Sequence, residues 1–156
     1  MKIYKALLVI ALVSVIGICS LFYHFGHNDS KALTDFSIAY KNYDRAILDF
    51  SITVFASNPK GVPATDDLER NATGALVELN TKASARISSL TRNDAELMSI
   101  TLEIAYLSGK ELDTLKAYQR AVDDKDIDLD KLAKEFGDLT IKRQTNFARF
   151  QELAGL

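Results

Sequence analysis

The sequence predicts an all-α protein, with an N-terminal membrane-spanning helix followed by an antiparallel, up-down-up-down four-helix bundle. Three observations lead there. Residues 6–23 carry no charge. Four later segments repeat apolar residues at alternating spacings of three and four, the signature of one buried helix face. Two prolines and seven glycines in 156 residues leave little material for turns, which makes the elements long.

The apolar run reads ALLVIALVSVIGICSLFY, with Lys2 and Lys5 before it and His27-Asn28-Asp29-Ser30 after it. At ~1.5 Å per residue it covers roughly 27 Å, close to the hydrocarbon thickness of a bilayer. Positive charge ahead of the run orients the N-terminus to the cytoplasm and the rest outside. The division is therefore 1–27 as signal anchor and 28–156 as an extracytoplasmic bundle at the inner or cytoplasmic membrane. Two readings compete with an uncleaved anchor. A cleaved signal would leave a secreted domain, although Val15/Gly17 and Ile18/Ser20 make poor cleavage pairs. A lipoprotein signal would use Cys19, although Ile18 is large for the preceding position.

Helix one, over 31–57, shows Leu33, Phe36, Tyr40, Tyr43, Ile47, Phe50 and Val54 on one face. Pro59 and Pro63 stop it, since a proline forces its predecessor out of the α region. Helix two, Asp66 to Leu90, carries Leu68, Ala72, Leu76, Leu79, Ala83, Ile87 and Leu90, and Asp66 with Glu69 has capping-box spacing. Helix three begins near Asn93 and presents Leu97, Ile100, Ile104, Leu107, Leu115, Tyr118 and Val122, with Gly109 as a candidate kink. Helix four begins at Asp128 or Asp130 and presents Leu132, Phe136, Leu139, Phe147, Phe150 and Leu153. Short turns at 58–65, 91–93 and 124–128 make sequential helices antiparallel neighbours.

Register follows from the turns. Around the first, residues whose numbers sum to about 123 share a level, which sets Phe50 against Thr73-Gly74, Tyr40 against Ala83 and Phe36 against Ile87. Large residues then meet small ones, and the bundle packs tightly unless a cavity opens under Ala72, Ala75 and Ala83. Around the last turn the sum is about 252. That places Glu111, a charge inside the helix-three stripe, opposite position 141 and within one turn of Arg143, a charge inside the helix-four stripe. The two form a buried pair, or both lean out of the seam and cover it with their stems. Tyr40 and Tyr43 read as core residues whose hydroxyls reach a polar edge.

Few chemistries are on offer. The chain after residue 27 has 17 basic and 21 acidic residues, a net charge of −4 that gives no basic stripe for nucleic acid. One cysteine makes no disulfide, and no cysteine or histidine cluster holds zinc, an iron–sulfur centre or haem. His24 and His27 sit at the membrane interface ahead of the first helix, and two ligands there do not make a site. The spacing of Asp124, Asp126, Asp128, Asp130 and Glu135 resembles an EF-hand calcium loop, but Leu129 stands where that loop needs glycine. The same carboxylates serve equally to cap helix four and meet its positive end. Asn28-Asp29-Ser30 and Asn71-Ala72-Thr73 match the N-glycosylation pattern, the second inside a helix.

No nucleophile stands beside a base and no glycine loop cradles phosphate, so the expectation is a non-enzyme without cofactors. It is a membrane-tethered interaction module, monomeric or weakly dimeric, working with another envelope protein as adaptor, inhibitor, immunity or assembly factor. A ligand-binding sensor is the alternative. In outline the basic tail, apolar span and bundle are similar to the periplasmic domains of bacterial chemoreceptors, although the chain stops at Leu156 with no second span. A structural spacer or phage lysis component is a third reading, opposed by the fold-back at Pro59 to Pro63, which shortens its reach.

Overall fold

The computed structural model describes residues 30–56, 64–90, 94–122 and 127–156. They form four helices: α1 over 30–56, α2 Ala64–Ser89, α3 Ala95–Ala121 and α4 Leu129–Ala154. The apolar segment 6–23, with Cys19, His24 and His27, lies outside the described residues, as do Asp124 and Asp126. Among the described residues no helix is long and apolar enough to cross a membrane.

Side-chain contacts fix the directions. Phe36 meets Phe150, Tyr40 meets Phe147 and Phe55 meets Phe136, so α1 and α4 run antiparallel. Glu96 with Arg149 and Glu103 with Lys142 do the same for α3 and α4. Tyr43 reaches Ser108 and Phe55 reaches Tyr118, which makes α1 and α3 parallel. Lys82 of α2 pairs with Asp35 near the start of α1, while Glu69 pairs with Lys116 near the end of α3. α2 therefore runs against both, and the order along the chain is up, down, up, down.

The apolar stripes supply the core. Phe36, Tyr43, Ile47, Phe50, Leu79, Ile104, Leu112, Leu115 and Phe150 are almost wholly buried. Ala72 and Ala83 are buried in the same cluster, as the large-against-small arrangement requires.

Several boundaries differ from the sequence expectation. α2 starts at Ala64, two residues early, so Asp66 lies inside the first turn and does not act as first member of a capping box. Its carboxylate and that of Asp67 instead sit near the positive end of the helix. α3 continues unbroken through Ser108-Gly109. Ser108 donates its hydroxyl to the Ile104 carbonyl one turn back, at 2.8 Å. α4 has a clear start, where the Asp128 Oδ1 accepts the Lys131 backbone N–H at 3.0 Å. Its end is equally defined. Gly155 takes a left-handed φ of 67° that lets the chain satisfy the Gln151 and Glu152 carbonyls.

Candidate functional site

Polar chemistry gathers at mid-height in the bundle, on the three helices α1, α3 and α4. The structure brings Glu111 and Arg143 together there. Arg143 Nε donates to Glu111 Oε2 at 2.7 Å and Nη2 to Glu111 Oε1 at 3.2 Å, a two-point contact in which both side chains are fully buried. Their numbers sum to 254, against about 252 from the turn. The fork of the guanidinium suits this geometry, because its N–H groups match both oxygens of one carboxylate.

Each charge is held by further groups of opposite character. Thr140 donates to Glu111 Oε1 at 2.6 Å, and the Tyr43 hydroxyl lies 3.1 Å from Oε2 and 2.6 Å from the Ser108 carbonyl. Glu111 is thus surrounded by donors. Arg143 faces acceptors, since Nη2 also donates to Asp44 Oδ1 at 2.7 Å. Gln144 Nε2 donates to the same oxygen at 3.4 Å, and Asp44, 37% exposed, connects the cluster to the surface. The guanidinium carbon lies 5.1 Å from the Tyr40 ring centre and 5.3 Å from that of Tyr43, within cation–π range of both.

The electrostatics follow from burial. Burial, and after it the Glu111 carboxylate, pushes the Tyr43 phenol well above the ordinary tyrosine range. Burial does the same at Tyr40, with Arg143 pulling partly the other way. At Arg143 burial opposes the charge, and Glu111 more than offsets it, so the guanidinium is held in its charged form. Both tyrosines stay neutral in the fold. Their hydroxyls point inward and not to a polar edge as the sequence suggested; the Tyr40 hydroxyl is buried without a hydrogen-bond partner.

Beside this cluster, between α1 and α4, lies a notch of about 60 Å³ lined by Asp44, Leu48, Ser51, Thr140, Arg143 and Gln144 among others. Arg143 Nη1 is buried here with no hydrogen-bond partner. A larger, open groove of about 410 Å³ runs between α2 and α3, past Asn80, Leu102, Tyr106 and Asp113.

The acidic connector has a different outcome. Asp128 caps α4, and Asp130 and Glu135 fall on helical turns beyond it. A calcium loop would need that stretch to wrap around one centre, whereas the helix spreads its carboxylates along and around an axis. Among the described residues no three histidine, cysteine, aspartate or glutamate side chains stand close enough to hold a metal. Asn71 is exposed on α2 within the helix, and the Thr73 hydroxyl accepts from Lys116.

Sequence reasoning missed Asp44, Thr140 and Ser108. Asp44 lies just off the α1 stripe, where an acid looks like any surface residue. Its partner helix is α4, and no turn joins the two to set their register.

Known proteins supply no shortcut, because the chain matches no family model, no curated protein and no solved structure. Fold and site define it as an all-α four-helix bundle with an ion pair buried across three of its helices.

Proposed function

We propose that this chain is a membrane-tethered, non-catalytic protein-interaction module of the cell envelope, with the apolar run at 6–23 as its tether. The reading rests chiefly on one observation. On the outer side of α1 and α4, Leu48, Ile52 and Ile141 are 54%, 56% and 66% exposed, although the helices beneath them are fully packed. Clustered apolar side chains on a soluble surface mark a contact site far more often than isolated ones do. The polar cluster supports the same reading. Its charges are matched to one another, and a carboxylate such as Glu111, with both oxygens taken up by Arg143, Thr140 and Tyr43, is a poor base or nucleophile.

The sensor reading has less behind it. The notch beside Arg143 measures about 60 Å³, room for a few waters, whereas ligand pockets run to roughly 300 Å³ and more. The groove of about 410 Å³ between α2 and α3 reaches that volume but lies open to solvent and does not enclose a ligand. A reporter fused after Leu156 tests the placement, with activity expected only outside the cytoplasm. Cytoplasmic activity would remove the tether from the proposal. Proximity crosslinking from the exposed apolar positions tests the interaction.

A further inference from the structure

The geometry points to the notch between α1 and α4 as the seat of one neutral amide group, the carboxamide end of an Asn or Gln side chain belonging to a partner protein. This rests on the interaction reading above and names what the partner inserts.

The planar guanidinium of Arg143 supplies the first part of the case. Nε and Nη2 share the edge that meets Glu111, and Nη2 also meets Asp44 Oδ1 at 2.7 Å. Covalent geometry then fixes the remaining donor, because one N–H of Nη1 runs parallel to the Nη2 N–H that reaches Asp44. It is aimed along the side of Asp44, into the notch that Asp44 and Arg143 line together. Arg143 is fully buried and Nη1 has no hydrogen-bond partner, so this N–H is an unspent donor at the inner end of the notch. A buried donor left unmade costs free energy, which a fitting acceptor recovers.

Acceptors complete the site. Asp44 takes the bonds from Arg143 and Gln144 through Oδ1, and among the described residues its Oδ2 and the Gln144 amide oxygen receive none. Ile47, Leu48 and Phe136 form apolar walls. A donor at depth, acceptors nearer the mouth and apolar sides are the outline of a carboxamide, whose C=O accepts and whose NH₂ donates. Water that serves these atoms in the free protein is displaced at little cost by a group that reproduces both bonds.

Charge and size exclude the competitors. The charged lining residues are Arg143 against Glu111 and Asp44, a net charge of −1, so a carboxylate or phosphate meets repulsion. An ammonium brings only further N–H groups and leaves Nη1 unpaired. At about 60 Å³ the notch takes a few non-hydrogen atoms, the end of a side chain and not a metabolite. Outside it, the exposed faces of α1 and α4 carry both signs, with Lys41, Arg45 and Lys134 beside Asp49, Asp130 and Asp138, so selection rests on the atoms within. A partner's side chain is favoured over a free small amide, because exposed Leu48 at the notch and Ile52 one turn along are apolar surface that only a larger partner covers.

The test titrates the full-length protein, purified in detergent, with acetamide, acetate and methylammonium while the side-chain nitrogens of Arg143 are followed by NMR. Acetamide should shift the Nη signals saturably, with a dissociation constant in the millimolar range open to about four heavy atoms, and both ions should bind at least about tenfold more weakly. Asp44→Asn, with the helical signal intact, should weaken acetamide about fivefold through loss of the carboxylate acceptor. Binding of either ion as tight as that of acetamide overturns the inference, as does an Asp44→Asn variant that binds acetamide like the parent. Absence of a saturable shift with any probe also overturns it, leaving water as the occupant and the interaction reading untouched. A photoreactive group at Leu48, used in cells, then separates the sources of the amide. The expected result is capture of a partner segment, lowered about tenfold when one Asn or Gln of that segment is replaced by Ala. Capture that no such replacement lowers overturns the inference alone. Acetamide binding with no protein captured overturns the partner assignment and the interaction reading together.

Discussion

Replacing Arg143 by Met removes the guanidinium and keeps most of the volume, which isolates the charge. Glu111 then loses both N–H donors, at 2.7 and 3.2 Å, and remains a fully buried carboxylate with only Thr140 and Tyr43 as donors. Breaking a buried pair from one side costs ~3–5 kcal/mol, a large fraction of a stability of ~5–15 kcal/mol. Removing Glu111 as well, by Glu111→Leu, should restore most of that loss, for a reason visible in the geometry. The Tyr43 hydroxyl keeps the Ser108 carbonyl at 2.6 Å, and Thr140 keeps the Phe136 carbonyl at 2.9 Å. Neither the Tyr43 nor the Thr140 hydroxyl is orphaned by the change, so the apolar double variant should come within ~1 kcal/mol of the parent or exceed it. Urea unfolding followed by circular dichroism on the four proteins of the cycle gives the coupling energy directly. An Arg143→Met variant as stable as the parent with Glu111 intact would refute the reasoning.

Three further outcomes are expected. The unfolded chain releases tyrosine protons near pH ~10, whereas the fold holds Tyr40 and Tyr43 protonated above that, so their contribution is complete below about pH 10 and is lost as pH rises beyond it. In an alkaline titration two phenols should ionise only as helix is lost; full ionisation with the helix intact would contradict this. Asp128→Ala should cost ~1 kcal/mol in urea unfolding through loss of the α4 cap, and a value near zero would show that the bond to Lys131 contributes nothing. Calorimetry with calcium should show no dissociation constant at or below roughly 10 μM, the range of sensor loops, because Asp128 is committed to the helix start.

How far the fold was legible depended on the turns. Alternating threes and fours located all four helices, since that spacing is imposed by burial and little else. Register was readable where a short turn joins two helices. The expected α3/α4 sum of 252 stands against 254 for Glu111–Arg143 and 251 for Glu111–Thr140, close to the expectation at the buried pair, and 245 for both Glu96–Arg149 and Glu103–Lys142. Across the first connection Asp35 and Lys82 sum to 117 against an expected 123, an error of the same size as that of the outer α3/α4 pairs. Part of that gap is the reach of the lysine. For α1 against α4 no turn exists, and Asp44 stayed hidden. Helix starts were similarly uneven. Asp128 before an apolar-periodic run signalled its cap, while Asp66 had the right spacing two residues inside the true start.

The arrangement around the pair carries a further consequence. Smooth apolar stripes with period three and four allow neighbouring helices to slip by a heptad and still bury most of their surface, and a buried charge pair penalises every slipped register by separating its members. If charge matching alone mattered, the swap Glu111→Arg with Arg143→Glu would preserve the device. It should fail, because the surroundings are polarised. An arginine at 111 would face the Tyr43 and Thr140 hydroxyls, which now act as donors, and a glutamate at 143 would sit beside the Asp44 carboxylate, 2.7 Å from the present Nη2. Glutamate is shorter than the arginine it replaces, but two carboxylates facing one buried space still cannot both stay ionised without large cost. The swapped protein should therefore be less stable than the apolar Glu111→Leu/Arg143→Met double by ~2 kcal/mol or more, within the range of buried mismatches. Adding Asp44→Asn to the swap should recover part of the deficit, while leaving the apolar double nearly unchanged. Equal urea midpoints for the swap and the apolar double would mean that the donors and acceptors around the pair reorient freely, and that the asymmetry of Tyr43, Thr140 and Asp44 has no role in setting the register.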